Sequence, residues 1–110
     1  VEIPAKFELG QNYPNPFNSR TTIVVQSTDK TAAQINIYNV LGQKIRHLGT
    51  EQIAGQTKSF VWDGKDSAGR PLPNGIYFTS VKINGETHFH KILYLRDYYV
   101  PALYSGGIIN

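Results

Sequence analysis

The acidic turn at residues 63–70 is the first segment whose residue types and spacing could support chemistry. It places two carboxylates, Asp63 and Asp66, in a glycine-rich loop, where they could contribute to a calcium site. Calcium takes about six to eight oxygen ligands, and this loop lacks the further acidic ligands and the closing glutamate of an EF-hand. The competing interpretation is a turn in which both carboxylates accept local backbone N–H groups, with Gly64 and Gly69 at positive φ. We predict a structural turn and retain Asp63 and Asp66 as calcium candidates.

The histidines offer a second candidate metal site. His88 and His90 are two residues apart, so a strand would place both on one face, as a zinc site could require. The only other histidine is His47, and no carboxylate is obviously placed to complete the ligand shell. Paired solvent-facing histidines are the simpler interpretation, and we predict no metal and no other cofactor.

The chain shows no pattern typical of an enzyme. It has no cysteine, which excludes thiolate metal sites and cysteine nucleophiles. No serine lies in a Gly-x-Ser-x-Gly elbow, and no glycine-rich phosphate loop precedes a helix. The basic residues behind the net charge of +3 are scattered along the sequence, whereas a nucleic-acid binder clusters them. We predict a non-enzyme with protein partners, no nucleic-acid partner and no transmembrane segment, because no apolar run approaches ~18 residues.

Aromatic side chains support a further hypothesis, a carbohydrate-binding accessory module of a secreted enzyme. Trp62 and the seven tyrosines could stack on sugar rings. Trp62 alternates with Phe60, however, which predicts that its ring fills the core. The tyrosines near the C-terminus are better candidates for an exposed or partner-facing patch: Tyr94, Tyr98, Tyr99 and Tyr104.

The elements that would position these side chains are β-strands. Short β-branched or alternating runs recur roughly every 10–15 residues, without an amphipathic helix pattern. Asn84-Gly85, between the two longest runs, is the preferred two-residue hairpin turn. Alternation places Ile45 and His47 on one face and Leu48 on the other, and residues 49–55 form a longer connection. We predict an all-β fold, an Ig-like or fibronectin III-like antiparallel β-sandwich of about seven strands, with runs at residues 21–26, 33–38, 44–48, 57–62, 75–83 and 86–95.

The segment at residues 11–18, Gln-Asn-Tyr-Pro-Asn-Pro-Phe-Asn, can be neither a helix nor a central strand. Pro14 and Pro16 fix φ and remove two backbone donors. Tyr13 and Phe17 are large apolar side chains within that stiff frame. We predict a rigid loop, pinned by two aromatic anchors, that closes one end of the sandwich. The structural motif residues are those of this loop and the core tryptophan: Tyr13, Pro14, Asn15, Pro16, Phe17, Asn18 and Trp62.

An ordered series of motifs resembles a known family. The series comprises Leu-Gly-Gln-Asn-Tyr-Pro-Asn-Pro-Phe-Asn, Thr-Thr-Ile, Ile-Tyr-Asn-Val-Leu-Gly-Gln, Trp-Asp-Gly-Lys-Asp-Ser-Ala-Gly-Arg-Pro, Asn-Gly-Ile-Tyr-Phe and Lys-Ile-Leu-Tyr-Leu-Arg at residues 9–18, 21–23, 37–43, 62–71, 74–78 and 91–96. In this order the motifs resemble the type A C-terminal sorting domain of the type IX secretion system, over about residues 5–96. The middle portion is also similar to the Ig-like domain of flagellar hook-capping proteins, which shares the Trp-Asp-Gly and Gly-x-Tyr-Phe signals.

The resemblance implies a secretion address on a cargo protein of Bacteroidota-like bacteria. The outer-membrane translocon would recognise the domain, and a surface sortase can remove it and anchor the cargo. The implied location is extracytoplasmic, in the periplasm during transit and then secreted or at the cell surface. The family's C-terminal signal maps onto Gly75, Tyr77, Gly85, Lys91, Leu93, Tyr94, Leu95 and Arg96.

Lys91 and the residues after Arg96 depart from the simplest pattern. Strict alternation puts Lys91 on the face of Phe89 and Leu93, which predicts a bulge or a snorkelling ammonium. Family members usually stop near Arg96, yet half of the fourteen residues at 97–110 are large and apolar. We therefore divide the chain into a sandwich at 1–96 and an extension at 97–110, which we expect to dock on a partner or on its own sandwich. The alternative function is an Ig-like structural subunit or adaptor of a larger extracytoplasmic complex, with docking residues Tyr98, Tyr99, Leu103 and Tyr104.

Overall fold

Seven β-strands run through the residues that the structure, a computed structural model, describes: 7–28 and 30–97. They pair in antiparallel fashion throughout, which confirms the predicted all-β class. Within these ranges no helix is long and apolar enough to cross a membrane. The strands are β1 (Phe7–Leu9), β2 (Thr21–Ser27), β3 (Thr31–Tyr38), β4 (Lys44–Ile53), β5 (Gln56–Trp62), β6 (Gly75–Ile83) and β7 (Glu86–Tyr94).

The strands form two sheets that face each other across one core. One sheet has the order β1-β2-β5 and the other has the order β4-β3-β6-β7. Both sheets contribute alternate side chains to a single buried cluster, because residues two apart on a strand share a face. The fully buried Trp62 ring lies in this cluster with Phe60, which shares its side of β5. The predicted antiparallel sandwich is therefore confirmed.

The β6–β7 hairpin forms at the expected turn. Asn84 and Gly85 have φ values of 52° and 80°, which are the left-handed values that a type I′ turn requires. The register pairs Ile83 with Glu86 and continues without a shift as far as Gly75 and Tyr94. The Asn-Gly turn and the alternating pattern are local sequence signals, and both indicate a hairpin formed by β6 and β7.

Strand β4 differs from the prediction in its length and in the residues that share a face. It continues through most of the predicted 49–55 connection and ends at Ile53. The β3–β4 register shifts twice, which is the signature of extra residues bulged out of β4. Because of these shifts, Ile45 and Leu48 both pack against the core, whereas His47 lies on the other face beside Asn36. The predicted pairing of Ile45 with His47 on one face was wrong.

Candidate recognition surface

The loop at residues 11–18 lies along the outer edge of β7, the last strand of the four-stranded sheet. Both X-Pro peptide bonds of this loop are cis. The Asn15 side-chain amide donates to the Lys91 carbonyl oxygen at 3.2 Å, and its carbonyl oxygen accepts from the Leu93 amide at 3.0 Å. A neighbouring strand would supply the same kinds of donor and acceptor. Asn15 therefore satisfies an edge that would otherwise expose unpaired backbone groups.

Phe17 extends this edge contact and anchors it in the core. Its backbone amide donates to the Leu93 carbonyl oxygen at 3.0 Å, and its own carbonyl oxygen accepts from the Leu95 amide at 2.9 Å. The fully buried Phe17 ring stacks on Tyr94 with centroids 4.6 Å apart, and it lies 5.4 Å from the Trp62 ring. The loop is thus joined to β7 by backbone bonds and to both sheets by one aromatic ring.

Tyr13 does not share this role. Its side chain is 73% exposed, so the expectation of two aromatic anchors was wrong. Only its backbone is held, by reciprocal hydrogen bonds with Thr22 at 3.0 and 2.9 Å. The second anchor is polar: the buried Asn12 amide donates to Thr21 Oγ1 at 2.9 Å, and that hydroxyl donates to the Pro14 carbonyl oxygen at 2.8 Å. A hydrogen-bonded amide and hydroxyl therefore hold the base of the loop.

The turn after β5 packs against the same aromatic cluster. The Trp62 indole N–H donates to the Lys65 carbonyl oxygen at 3.0 Å, which satisfies the one polar group of the buried ring. Gly64 has a φ of +76°, and a Cβ added there would lie 2.6 Å from the Tyr94 ring. Glycine is required both by the backbone conformation and by this close approach. The Trp-Asp-Gly sequence therefore supports the last residue of β7.

Asp63 joins this turn to β4. Arg46 Nη1 lies 2.8 Å from Asp63 Oδ1 and 2.9 Å from the Lys65 carbonyl oxygen. The Lys65 amide donates to the same carboxylate oxygen at 3.1 Å. Burial disfavours the charged carboxylate, but the hydrogen bonds from Arg46 and the Lys65 amide outweigh it, so the pKa of Asp63 lies below its usual value of 3.8.

Asp66 organises the second half of the turn. One carboxylate oxygen accepts from the Ala68 and Arg70 amides, both at 2.9 Å, and the other lies 3.1 Å from Arg70 Nε. The hydrogen bond from the Arg70 amide is the main reason that the pKa of Asp66 is lowered. Both candidate calcium carboxylates are thus engaged by protein donors, and both turn glycines have positive φ. The described residues hold no group of three or more potential metal ligands, and Asp63 and Asp66 stay untested calcium candidates.

The side of β6 and β7 that points away from the core is rich in apolar and aromatic side chains. Phe89 is 59% exposed and Ile76 is 41% exposed, and Leu93 lies opposite Ile76 in the register. The surface continues on β3, where the Tyr38 ring lies 6.4 Å from the Phe89 ring. We call this surface the outer face, and it comprises Tyr38, Lys44, Ile76, Phe78, Lys82, Phe89, Lys91 and Leu93.

The sequence-predicted signal residues divide between the core and the outer face. Tyr77 and Tyr94 are buried in the core, so the expectation of an exposed patch at Tyr94 was wrong. Lys91 is exposed on the outer face and Leu93 is half-buried beside it. Phe89 lies on the same side and is itself exposed, so Lys91 reaches solvent without the expected bulge or snorkelling.

The remaining signal residues lie at the ends of the strands. Gly75 begins β6, and Gly85 lies in the hairpin turn at the opposite end. The Arg96 amide donates to Asn74 Oδ1 at 2.7 Å, which fixes the chain just beyond β7. The predicted docking residues Tyr98, Tyr99, Leu103 and Tyr104 lie outside the described residues.

The candidate metal-binding histidines and the candidate sugar-binding tryptophan lie on the inward sides of their strands. His88 and His90 share the inward side of β7, with His88 at 3.1 Å from Glu86 and His90 half-buried. Trp62 is fully buried, so its ring cannot stack on an external sugar. Within the described part of the chain, the most exposed rings are instead those of Tyr13 and Phe89.

Sequence reasoning missed the outer face, although a signal for it was present. In β6, Ile76 and Phe78 alternate with Tyr77 and Thr79, so an apolar side chain occurs on both sides of the strand. Alternation separates two faces without showing which one meets the opposite sheet. The packed cluster, which takes Tyr77 rather than Phe78, decides this.

The fold and this surface define an Ig-like β-sandwich module, and the sequence supports that class directly. The FlgD Ig-like domain profile matches residues 12–86, and the chain belongs to this family. No curated protein sequence matches the chain.

Two solved structures share the fold. FlgD from P. aeruginosa has a TM-score of 0.54 and 20% identity, covering 84% of this chain and 76% of that chain. PorZ, an essential bacterial surface component of the type-IX secretion system of Porphyromonas gingivalis, has a TM-score of 0.51 and 16% identity. The match covers 82% of this chain and only 11% of the PorZ chain. At these identities the likeness shows the fold alone.

Proposed function

We propose that this domain is a non-catalytic secretion address, a C-terminal sorting domain that the type IX outer-membrane translocon recognises on an attached cargo protein. Its place of action would be extracytoplasmic, first in the periplasm and then at the cell surface, where a sortase could remove it. The observation that supports the proposal best is the convergence on β7 of the motifs that carry the family resemblance.

Four of these motifs contact the C-terminal strand, and the motif at residues 37–43 does so through the Tyr38 ring, 6.4 Å from the Phe89 ring. Asn15 from the proline loop bonds to both Lys91 and Leu93, and Gly64 from the Trp-Asp-Gly turn leaves room for Tyr94. The Gly-x-Tyr-Phe motif begins β6, which pairs with β7 along its whole length. These contacts hold β7 in one geometry while its outer side stays exposed, which is what recognition by shape requires.

The likeness to PorZ concerns the fold. PorZ is a surface component of the type IX system, so a sandwich of this fold occurs within that apparatus. The proposed sorting role depends on the ordered motifs, because an identity of 16% supports the fold alone.

A fusion experiment tests the address. The full 110-residue chain is attached to the C-terminus of a periplasmic reporter in a bacterium with a type IX system, and in an isogenic strain without the translocon. We expect the reporter at the surface or in the medium of the first strain and in the periplasm of the second. Retention in the periplasm of both strains, with the folded fusion detected there, would contradict the sorting role.

A groove near the end of β7 favours a second candidate, an Ig-like adaptor that keeps its C-terminal extension. The groove has a volume of about 310 Å³ and a mainly apolar lining, and Val40 and Leu41 on its rim are 65% and 78% exposed. A neighbouring hollow shares Pro73 and Asn74 with the groove and is completed by Arg96 and Asp97. Asp97 therefore lies in a hollow that adjoins the apolar groove.

We propose that residues 97–110 dock in this groove, since their large apolar side chains would be stabilised by burial. Removing residues 98–110 should then lower the free energy of unfolding by about 1–2 kcal/mol. Leu41→Asp should destabilise the full chain more than the truncated chain, because only the full chain would lose a contact there. Equal stability of the two chains, or an equal effect of Leu41→Asp in both, would exclude docking in this groove.

A further inference from the structure

The outer face carries exposed cations. Lys44, Lys82 and Lys91 are all exposed, and none of them forms an ion pair with another described residue. Their position follows from the register, which places Lys44 opposite Tyr38 and Lys91 opposite Phe78. Lys44 and Lys91 therefore flank Tyr38 and Phe78 on the two edge strands, and Lys82 lies beyond Phe89, towards the hairpin turn.

Carboxylates of the described strands and turns lie away from this face. Glu51 and Glu86 are opposite the core residues Ala33 and Ile83, so they project from the inward side of their strands. Glu51 is also 3.8 Å from Lys58 of the other sheet. The remaining acidic residues of the described ranges belong to the other sheet, to the turn after β5 or to the chain beyond β7: Glu8, Asp63, Asp66 and Asp97.

The composition of the outer face is typical of a protein-binding surface. Interfaces combine an apolar, aromatic centre with a polar rim, and here the rings of Tyr38, Phe78 and Phe89 lie between the three lysines. Because the face supplies no counter-charge of its own, an approaching anionic group would meet an uncompensated positive potential. Solvated strand faces usually mix both signs of charge, which would weaken such a potential.

We infer that the outer face docks an acidic protein surface, which places an apolar side chain against the aromatic centre and Asp or Glu side chains against the three lysines. This inference rests on the proposed function, because the partner would be a protein of the secretion apparatus. Ile76 and Leu93 favour a protein over a nucleic acid or an anionic polysaccharide, since aliphatic side chains pack against side chains and offer no stacking plane. The cations are lysines around a patch rather than a stripe of arginines, which phosphate backbones favour.

Matched charge reversals in the fusion experiment test the inference. The face variant is Lys44→Glu/Lys82→Glu/Lys91→Glu, and the control variant is Arg20→Glu/Lys30→Glu/Gln56→Glu/Ser59→Glu, which makes the same change in net charge at exposed positions elsewhere. We expect the face variant to lower surface delivery on the order of tenfold, because steering and rim contacts are both reversed. The control variant should deliver like the wild type, and thermal unfolding should show both to be folded. Equal delivery by the two variants would overturn the acidic partner while leaving the sorting role in place.

A binding measurement on the isolated full chain separates the inference from the sorting role. The probes are a short peptide of alternating Asp and Leu, its Lys and Leu counterpart, single-stranded oligo(dT) and heparin. We expect backbone amide chemical shifts to change on β6 and β7 with the acidic peptide only, and to lose that change in the face variant. No response to the acidic peptide, or a tighter response to oligo(dT) or heparin, would overturn the inference even if the wild-type fusion reaches the surface.

Discussion

Gly64 shows at the scale of one residue how the turn after β5 sets the position of β7. Its φ of +76° disfavours any side chain, and an added Cβ would lie 2.6 Å from the Tyr94 ring. We expect Gly64→Ala to lower the free energy of unfolding by about 3 kcal/mol, from the left-handed backbone and the overpacking together. Gly69→Ala is the control, because φ there is +83° and nothing lies within 4 Å, so only about 1 kcal/mol should be lost. Equal losses in urea unfolding would show that the contact with Tyr94 is unimportant.

Asp63 gives the domain a specific response to acid. Its pKa is lower in the folded protein than the usual 3.8, so its contribution to stability is present above 3.8 and disappears as the pH falls through the folded value. We expect Asp63→Asn to lower the free energy of unfolding at neutral pH by about 1 kcal/mol, a modest figure because the pair with Arg46 is partly exposed. The difference from the wild type should shrink below pH 3.8. An unchanged difference in acid would assign the effect to packing instead of charge.

The sequence did not predict which of the two aromatic side chains of the proline loop is buried. Phe17 and Tyr13 are both large, and the sequence gives them the same expected role. Phe17 is fully buried and Tyr13 is 73% exposed, because only Phe17 projects between the sheets towards Trp62 and Tyr94. The direction in which each ring points depends on contacts with strands that are distant in the sequence. A local sequence pattern carries no information about those contacts.

At the scale of elements, the proline loop and β7 behave as one unit. The Leu93 amide reaches Asn15 Oδ1 at 3.0 Å, so Asn15→Ala should free it to exchange with solvent. We expect faster hydrogen exchange at Leu93 and a loss of about 1 kcal/mol in unfolding free energy. Asn39→Ala is the control, because Asn39 accepts bonds from the Leu41 and Gln43 amides in a separate turn. If both variants change Leu93 exchange equally, the loop does not protect this edge.

Elements with local signals were predictable, and those shaped by long-range pairing were not. The hairpin at Asn84-Gly85 follows from turn chemistry, and β6 from Gly75 to Ile83 follows from its alternation. The length of β4 and its two register shifts were not predicted, because both depend on pairing with β3. A bulge also reverses alternation, which is why Leu48 packs on the core side.

At the scale of the whole molecule, the sandwich class was predictable and the composition of its outer face was not. The strand pattern and the motif order led to an Ig-like fold, and the family match over residues 12–86 agrees with it. The outer face brings together Tyr38, Phe78, Phe89 and three lysines from four different strands. No single stretch of sequence shows that these side chains share a surface, because the order β4-β3-β6-β7 is a product of the folded topology.

Under the proposed function, features of this chain, and not the Ig-like fold as such, act as the secretion address. The most direct measurement compares one reporter in one type IX host, carrying either this chain or the Ig-like domain of P. aeruginosa FlgD, which shares the fold at 20% identity. We expect the reporter with this chain to reach the surface and the reporter with the FlgD domain to stay in the periplasm. Surface delivery by both domains, or by neither, would contradict the proposed function.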